Sequence, residues 1–225
     1  MKDKKLLSDI KEYLKCYEDQ VLEDWYELIR HISVSETGEG IETCCDWIQK
    51  KMEEIGIQVT KYSVKPAPVL VGRFGNDPEK KTVLIYAHYD VKPAGERKLW
   101  HSDPFVPTVS DGKVYARGSA DNKSPLMAHL KALEYFIRRK MEVPVNVIFV
   151  FEGDEECGSR GLEEFLAEHR TELAADLVFF SDGPKDPSGL PIIALGAKGD
   201  LSIHITVETM NRNVHARYAP VLPSA

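Results

Sequence analysis

Apolar residues recur at helical spacing from about Leu6 to Ile29, at Leu6, Ile10, Tyr13, Leu14, Tyr17, Val21, Trp25 and Leu28. This is the stripe of a long amphipathic helix, with a possible break near Tyr17. A second helix is expected over Ile41–Ile55, ended by Gly56 as a C′ glycine. The pattern then changes period. Ile57–Val64 alternates as a strand does, and Val69–Phe74 is a second strand candidate closed by Gly75-Asn76-Asp77-Pro78. Three continuous apolar runs follow, Thr82–Ala87, Val145–Phe151 and Leu177–Phe180. Runs of this length and composition predict strands covered on both faces. Helices are expected between them, at Ser124–Arg139 and Leu162–Arg170. Buried strands alternating with helices define an α/β layered domain. Beyond Asp182 comes a turn-rich loop, Gly183-Pro184-Lys185-Asp186-Pro187-Ser188-Gly189, then expected strands at Ile192–Leu195 and Leu201–Glu208.

Composition narrows the possibilities. Hydrophobic residues are 43% of the 225, enough for a packed core. The formal charge of −7 argues against nucleic acid as the main partner and offers no polybasic surface to a membrane. No apolar run reaches the roughly 20 residues of a membrane helix, and no secretory h-region follows the N-terminal lysines. Cys16, Cys44, Cys45 and Cys157 form no CxxC pair, which predicts reduced thiols and a cytoplasmic protein.

The candidate chemistry sits just past the strand ends. His88 and Asp90 follow Thr82–Ala87, and Glu152, Asp154, Glu155 and Glu156 close Val145–Phe151. Asp182 follows Leu177–Phe180, and Asp121 opens the helix after Arg117-Gly118-Ser119-Ala120. Ligands of open α/β sheets bind at the carboxyl ends of strands. Each group alone has an ordinary reading: a His-x-Asp by chance, a solvated acidic turn, a helix cap, a turn former. Together they bring an imidazole and several carboxylates to one edge. Such a cluster needs a cation to neutralise it, and zinc, manganese or cobalt suits the donor set better than calcium or magnesium. His31, His101, His129, His169 and His204 have no such company and read as surface or packing residues.

Tyr86-Ala87-His88-Tyr89-Asp90-Val91 resembles the first metal motif of the zinc peptidases that include aminoacylase, carboxypeptidase G, succinyl-diaminopimelate desuccinylase and carnosinase-type dipeptidases. Arg117–Lys123 is similar to their second motif, Glu152–Ser159 to the third, and Ser181-Asp182-Gly183 to the fourth. The resemblance implies a zinc-binding α/β catalytic domain, incomplete here, over residues 1–198. It also implies the start of an inserted α+β lid over 199–225. It makes His88, Asp121, Glu156 and Asp182 metal ligands, with Asp121 bridging two zinc ions per full-length subunit (manganese or cobalt being possible substitutes). Asp90 would orient the His88 ring, Glu155 would be the general base, and a cis peptide would join Asp121 to Asn122. Asn211–Ala216 resembles the lid motif that supplies a substrate-contacting histidine, which makes His215 the matching residue. Asn213 and Ala216 depart from that motif.

The implied activity is hydrolysis of an amide bond in a dipeptide or small peptide, by a homodimer formed through the lid. N-acyl amino acid deacylation and a non-catalytic, metal-binding remnant are the alternatives. Asp182 favours the dipeptidase, because the family's deacylases have glutamate there. Family members are about twice as long and carry their last ligand, a histidine, beyond position 225. The chain is therefore expected to be a fragment, inactive by itself.

Overall fold

The computed structural model describes residues 2–183, 188–190, 192–194, 196, 199, 201 and 203–207. It forms two compact units, 1–183 and 184–225. The first contains helices α1 (Lys2–Arg30), α2 (Ile41–Ile55), α3 (Lys123–Arg138) and α4 (Leu162–Glu168). Its strands are β1 (Gln58–Tyr62), β2 (Val69–Phe74), β3 (Thr82–His88), β4 (Thr108–Ser110), β5 (Lys113–Tyr115), β6 (Asn146–Glu152) and β7 (Leu177–Phe180).

Five strands make one sheet in the order β1-β2-β6-β3-β7. β3 runs parallel to both β6 and β7, whereas β2 is antiparallel to β6 and to β1. The period of two along β6 builds two cores. Val147, Phe149 and Phe151 pack with Leu28, Ile48, Met52, Leu126 and Leu130 from α1, α2 and α3. Ile148 and Val150 face the opposite layer, with Leu84, Tyr86 and Phe165 of α4. Burying each of these large side chains contributes roughly 1.5–3 kcal/mol. The sheet thus lies between a three-helix layer and a thinner one, as the α/β expectation requires.

Several boundaries match the periodic pattern closely. α2 ends where expected: Gly56 adopts φ 98°, and its N–H donates to the Glu53 carbonyl at 2.9 Å. Glycine reaches this left-handed conformation without the penalty a Cβ would incur. α1 has no break at Tyr17, because Tyr13 buries against Tyr135 of α3 and the apolar stripe continues through it.

Other expectations fail for physical reasons. β7 is not covered on both faces: Leu177, Val178, Phe179 and Phe180 are each about half exposed, because β7 is the edge strand. The strands expected at Ile192–Leu195 and Leu201–Glu208 are not formed among the described residues. Ile193 and Leu201 there are 85% and 81% exposed, so no described residue buries their apolar side chains. The hairpin of β4 and β5 escaped the sequence reading. Its signal is Asp111-Gly112, both at positive φ, the usual dipeptide of a two-residue turn. No helix among the described residues is long and apolar enough to cross a membrane.

Candidate metal centre

Parallel pairing of β3 with β6 sets His88 opposite Glu152, so both chains leave the sheet at one edge. β7, parallel on the other side of β3, delivers Asp182 to that edge. Asp121 arrives from the segment before α3. It does not cap that helix: Asn122 holds the N-cap position, and the peptide bond between the two is cis, as the resemblance implies.

The His88 ring is fully buried. Its Nε2 lies 3.0 Å from Asp121 Oδ1, 3.5 Å from Asp182 Oδ2 and 3.8 Å from Glu155 Oε2. One donor atom each from His88, Asp121 and Asp182 falls within 4.8 Å of the others. Zinc bonds near 2 Å in a tetrahedral arrangement place donor atoms about 3–4 Å apart, so this set fits a metal ion.

Behind the ring, Nδ1 lies 3.1 Å from the Asp90 carbonyl oxygen and 3.3 Å from Asp90 Oδ1. The Asp90 carboxylate is itself buried and also accepts the backbone N–H groups of Glu155 and Glu156 at 3.2 and 3.0 Å. These two glutamates sit in a short 3-10 turn, Glu155–Cys157, directly after β6. Burial opposes a charge on His88, but the Asp90 hydrogen bond and the charges of Asp90, Glu155 and Asp121 push its pKa up to about 9. Burial raises the Glu155 carboxyl above its usual range, helped by the charges of Asp182, Glu156 and Asp90 and opposed by His88. Burial would also raise Asp90, yet its hydrogen bonds with His88 and Ser35 hold it low.

Four of the expected residues therefore converge: His88, Asp121, Asp182 and, on the rim, Glu155, with Asp90 beneath them. Glu156 does not join the three-residue cluster. Its Oε2 lies 3.4 Å from Lys92 Nζ, and the same ammonium donates to the Glu156 backbone carbonyl. His215 lies outside the described residues.

Three neighbours belong to the motifs, but the sequence assigns their side chains no individual role. Asn122 donates from Nδ2 to the Ser181 carbonyl at 2.9 Å, tying the Asp121 segment to the Asp182 segment. Lys123 is fully buried and donates to the carbonyls of Leu28 and His31 at 3.1 and 2.6 Å, which anchors the start of α3 on the end of α1. Glu152 is buried beside His88 and accepts hydrogen bonds from Tyr86 and Ser159 at 2.5 and 2.8 Å. The partners of Asn122 and Lys123 lie far away in the chain, so only tertiary packing reveals these contacts.

A buried histidine ringed by carboxylates at the carboxyl edge of parallel strands defines the class, an α/β metal-site domain. The chain belongs to peptidase family M20/M25/M40, whose model matches residues 84–223. It is 40% identical over 172 residues to the Cys-Gly metallodipeptidase dug1 of Schizosaccharomyces pombe, covering 74% of this chain and 36% of that protein. It is 36% identical to the human Beta-Ala-His dipeptidase over 151 residues, covering 66% and 30%. The M20 family metallo-carboxypeptidase Sso-CP2 of Sulfolobus solfataricus aligns with a TM-score of 0.72 at 36% identity, over 75% of this chain and 38% of that one. The matched region thus spans about a third of the length of each of these relatives. Metallopeptidase kinship and the convergent cluster together indicate a divalent metal at this edge.

Proposed function

We propose that the chain carries the metal-binding part of a dipeptidase that hydrolyses the amide bond of a dipeptide or small peptide. The observation that carries this is the convergence of His88, Asp121 and Asp182 with Glu155 3.8 Å from the His88 ring nitrogen. Dipeptides are favoured over N-acyl amino acids because the relatives quoted include a Cys-Gly and a Beta-Ala-His dipeptidase.

In this reading His88 Nε2 and carboxylate oxygens of Asp121 and Asp182 would hold a zinc ion, and Glu156 with Asp121 would serve a second. A bound zinc supplies Lewis acidity that lowers the pKa of a neighbouring water toward about 7. Glu155 takes the proton of that water as its oxygen adds to the amide carbonyl carbon. The C–N bond then breaks, and Glu155 returns the proton to the leaving nitrogen, so the carboxylate ends as it began. Asp90 keeps the His88 ring oriented and, through two backbone N–H groups, holds the turn that bears the base. A homodimer with His215 reaching substrate belongs to the same reading and rests on the lid motif alone. Four free thiols agree with a cytoplasmic site of action.

The test pairs zinc analysis of the purified chain after dialysis with hydrolysis of Cys-Gly, β-Ala-His and N-acetyl amino acids by the family-length protein. Bound zinc with dipeptide turnover supports the reading. Turnover confined to N-acetyl amino acids would favour the deacylase, and neither zinc nor turnover would refute both.

A further inference from the structure

The geometry points to Lys92 as an internal counter-ion of Glu156 that competes with a second metal ion and weakens its binding. The inference rests on the metal-site reading above and concerns its stoichiometry.

Glu156 is fixed in two independent ways. Its backbone N–H is held by Asp90 Oδ2 at 3.0 Å, which sets the main chain whatever the side chain does. Its carboxylate is 13% exposed, so its charge is largely removed from water and needs a positive partner. Lys92 supplies that partner, with Nζ 3.4 Å from Oε2 and a further hydrogen bond to the Glu156 carbonyl oxygen. Both contacts come from one residue two positions after Asp90, on the segment leaving β3. The three remaining acidic groups of the site, Asp121, Asp182 and Glu155, are gathered around the His88 ring instead. The two cation positions are thus unequal: three donors converge on one, and a lysine already neutralises the principal donor of the other.

The competition is not one-sided. Lys92 is 53% exposed, so its ammonium is still half hydrated and can leave Glu156 at small cost. An exposed lysine–carboxylate pair contributes up to about 1 kcal/mol, which corresponds to about a fivefold change in a competing affinity. Lys92 therefore weakens a second metal without excluding it.

The experiment titrates metal-stripped protein with zinc by calorimetry, using wild type, Lys92→Met, Lys92→Gln and Lys92→Arg. Wild type is expected to bind one zinc tightly and a second weakly. Lys92→Met and Lys92→Gln should strengthen the second event about fivefold, and Lys92→Arg should leave it near the wild-type value. Adding Glu156→Gln to Lys92→Met should erase the gain, which places it at Glu156 rather than at an adventitious site. One tight zinc with an unchanged second event in both neutral variants would overturn the inference and leave the metal-site reading standing. Two tight zinc ions in wild type would also overturn it. No zinc bound by any variant would overturn the metal-site reading, and the inference with it.

Discussion

The Asp90 carboxylate touches Glu156 through its backbone, accepting the Glu156 N–H on Oδ2 at 3.0 Å while its other oxygen lies 3.3 Å from His88 Nδ1. One buried side chain therefore couples the expected metal ligand to the turn that carries the two glutamates. Asp90→Asn keeps the volume but loses the charge and one of the two acceptor oxygens. It should weaken zinc binding about 10- to 100-fold, the usual effect of removing a ligand's supporting carboxylate. Competition against a chelating dye would measure this; an unchanged affinity would mean that His88 needs no such support.

Glu155 lies 3.8 Å from the His88 ring; burial raises its carboxyl above the usual range, His88 opposes that rise, and the charges of Asp182, Glu156 and Asp90 add to it. In the family-length protein, Glu155→Gln should cut turnover about a hundred- to ten-thousand-fold, as removal of a general base does. Zinc content should stay the same, because Glu155 moves protons and holds no metal. Wild-type turnover would dismiss the assignment, and lost zinc would recast Glu155 as a ligand.

A proton and a metal compete for His88. Its pKa is pushed up to about 9, so at neutral pH the metal-stripped ring carries a proton that zinc must displace. Zinc affinity should therefore rise with pH and level off near 9, falling by up to about tenfold per unit below that. Proton release on zinc binding, read by calorimetry in two buffers of different ionisation enthalpy, checks the sign. A pH-independent affinity would argue against His88 as a ligand.

Asp24 ties three helices together away from the site. It accepts from Lys51 at 3.0 Å and from Lys131, which also pairs with Glu134. Burial would raise its carboxyl, but the hydrogen bonds to Lys131 and Lys51 hold it below the usual carboxylate range. A lowered folded-state pKa contributes stability that is present above the unfolded-state value and lost as pH falls through the folded one. Asp24→Asn should cost about 2 kcal/mol at pH 7, with the deficit shrinking below pH ~4. Urea unfolding at several pH values measures it, and a deficit that persisted in acid would show that packing, not charge, carries the effect.

Gly153 joins Glu152 to Asp154 where the backbone passes close to the buried Tyr89 ring. A Cβ there would stand 2.5 Å from the Tyr89 hydroxyl, which donates to the Pro68 carbonyl at 2.7 Å. Gly153→Ala should destabilise the chain by about 1–3 kcal/mol through overpacking. Loss of zinc affinity in the same variant would show that the displacement reaches the Glu155–Cys157 turn, whereas wild-type stability would mean that Tyr89 has room to move.

Local pattern determined much of this protein. Helical spacing locates α2, and short apolar runs locate β2 and β7, at their observed bounds, because the apolar pattern follows the backbone conformation along an element. The residues of the candidate site were also legible, since strand ends advertise them and the motifs are dense there. Tertiary structure decided what depends on distant partners. It turned Glu155 toward His88 and Glu156 toward Lys92, although adjacent glutamates are indistinguishable by composition. It buried Lys123 against carbonyls of Leu28 and His31, more than 90 residues away in the chain, and left β7 exposed at the sheet edge. Periodicity records which face of an element is apolar. Only packing settles what meets that face, because the partner of each buried charge comes from another part of the chain.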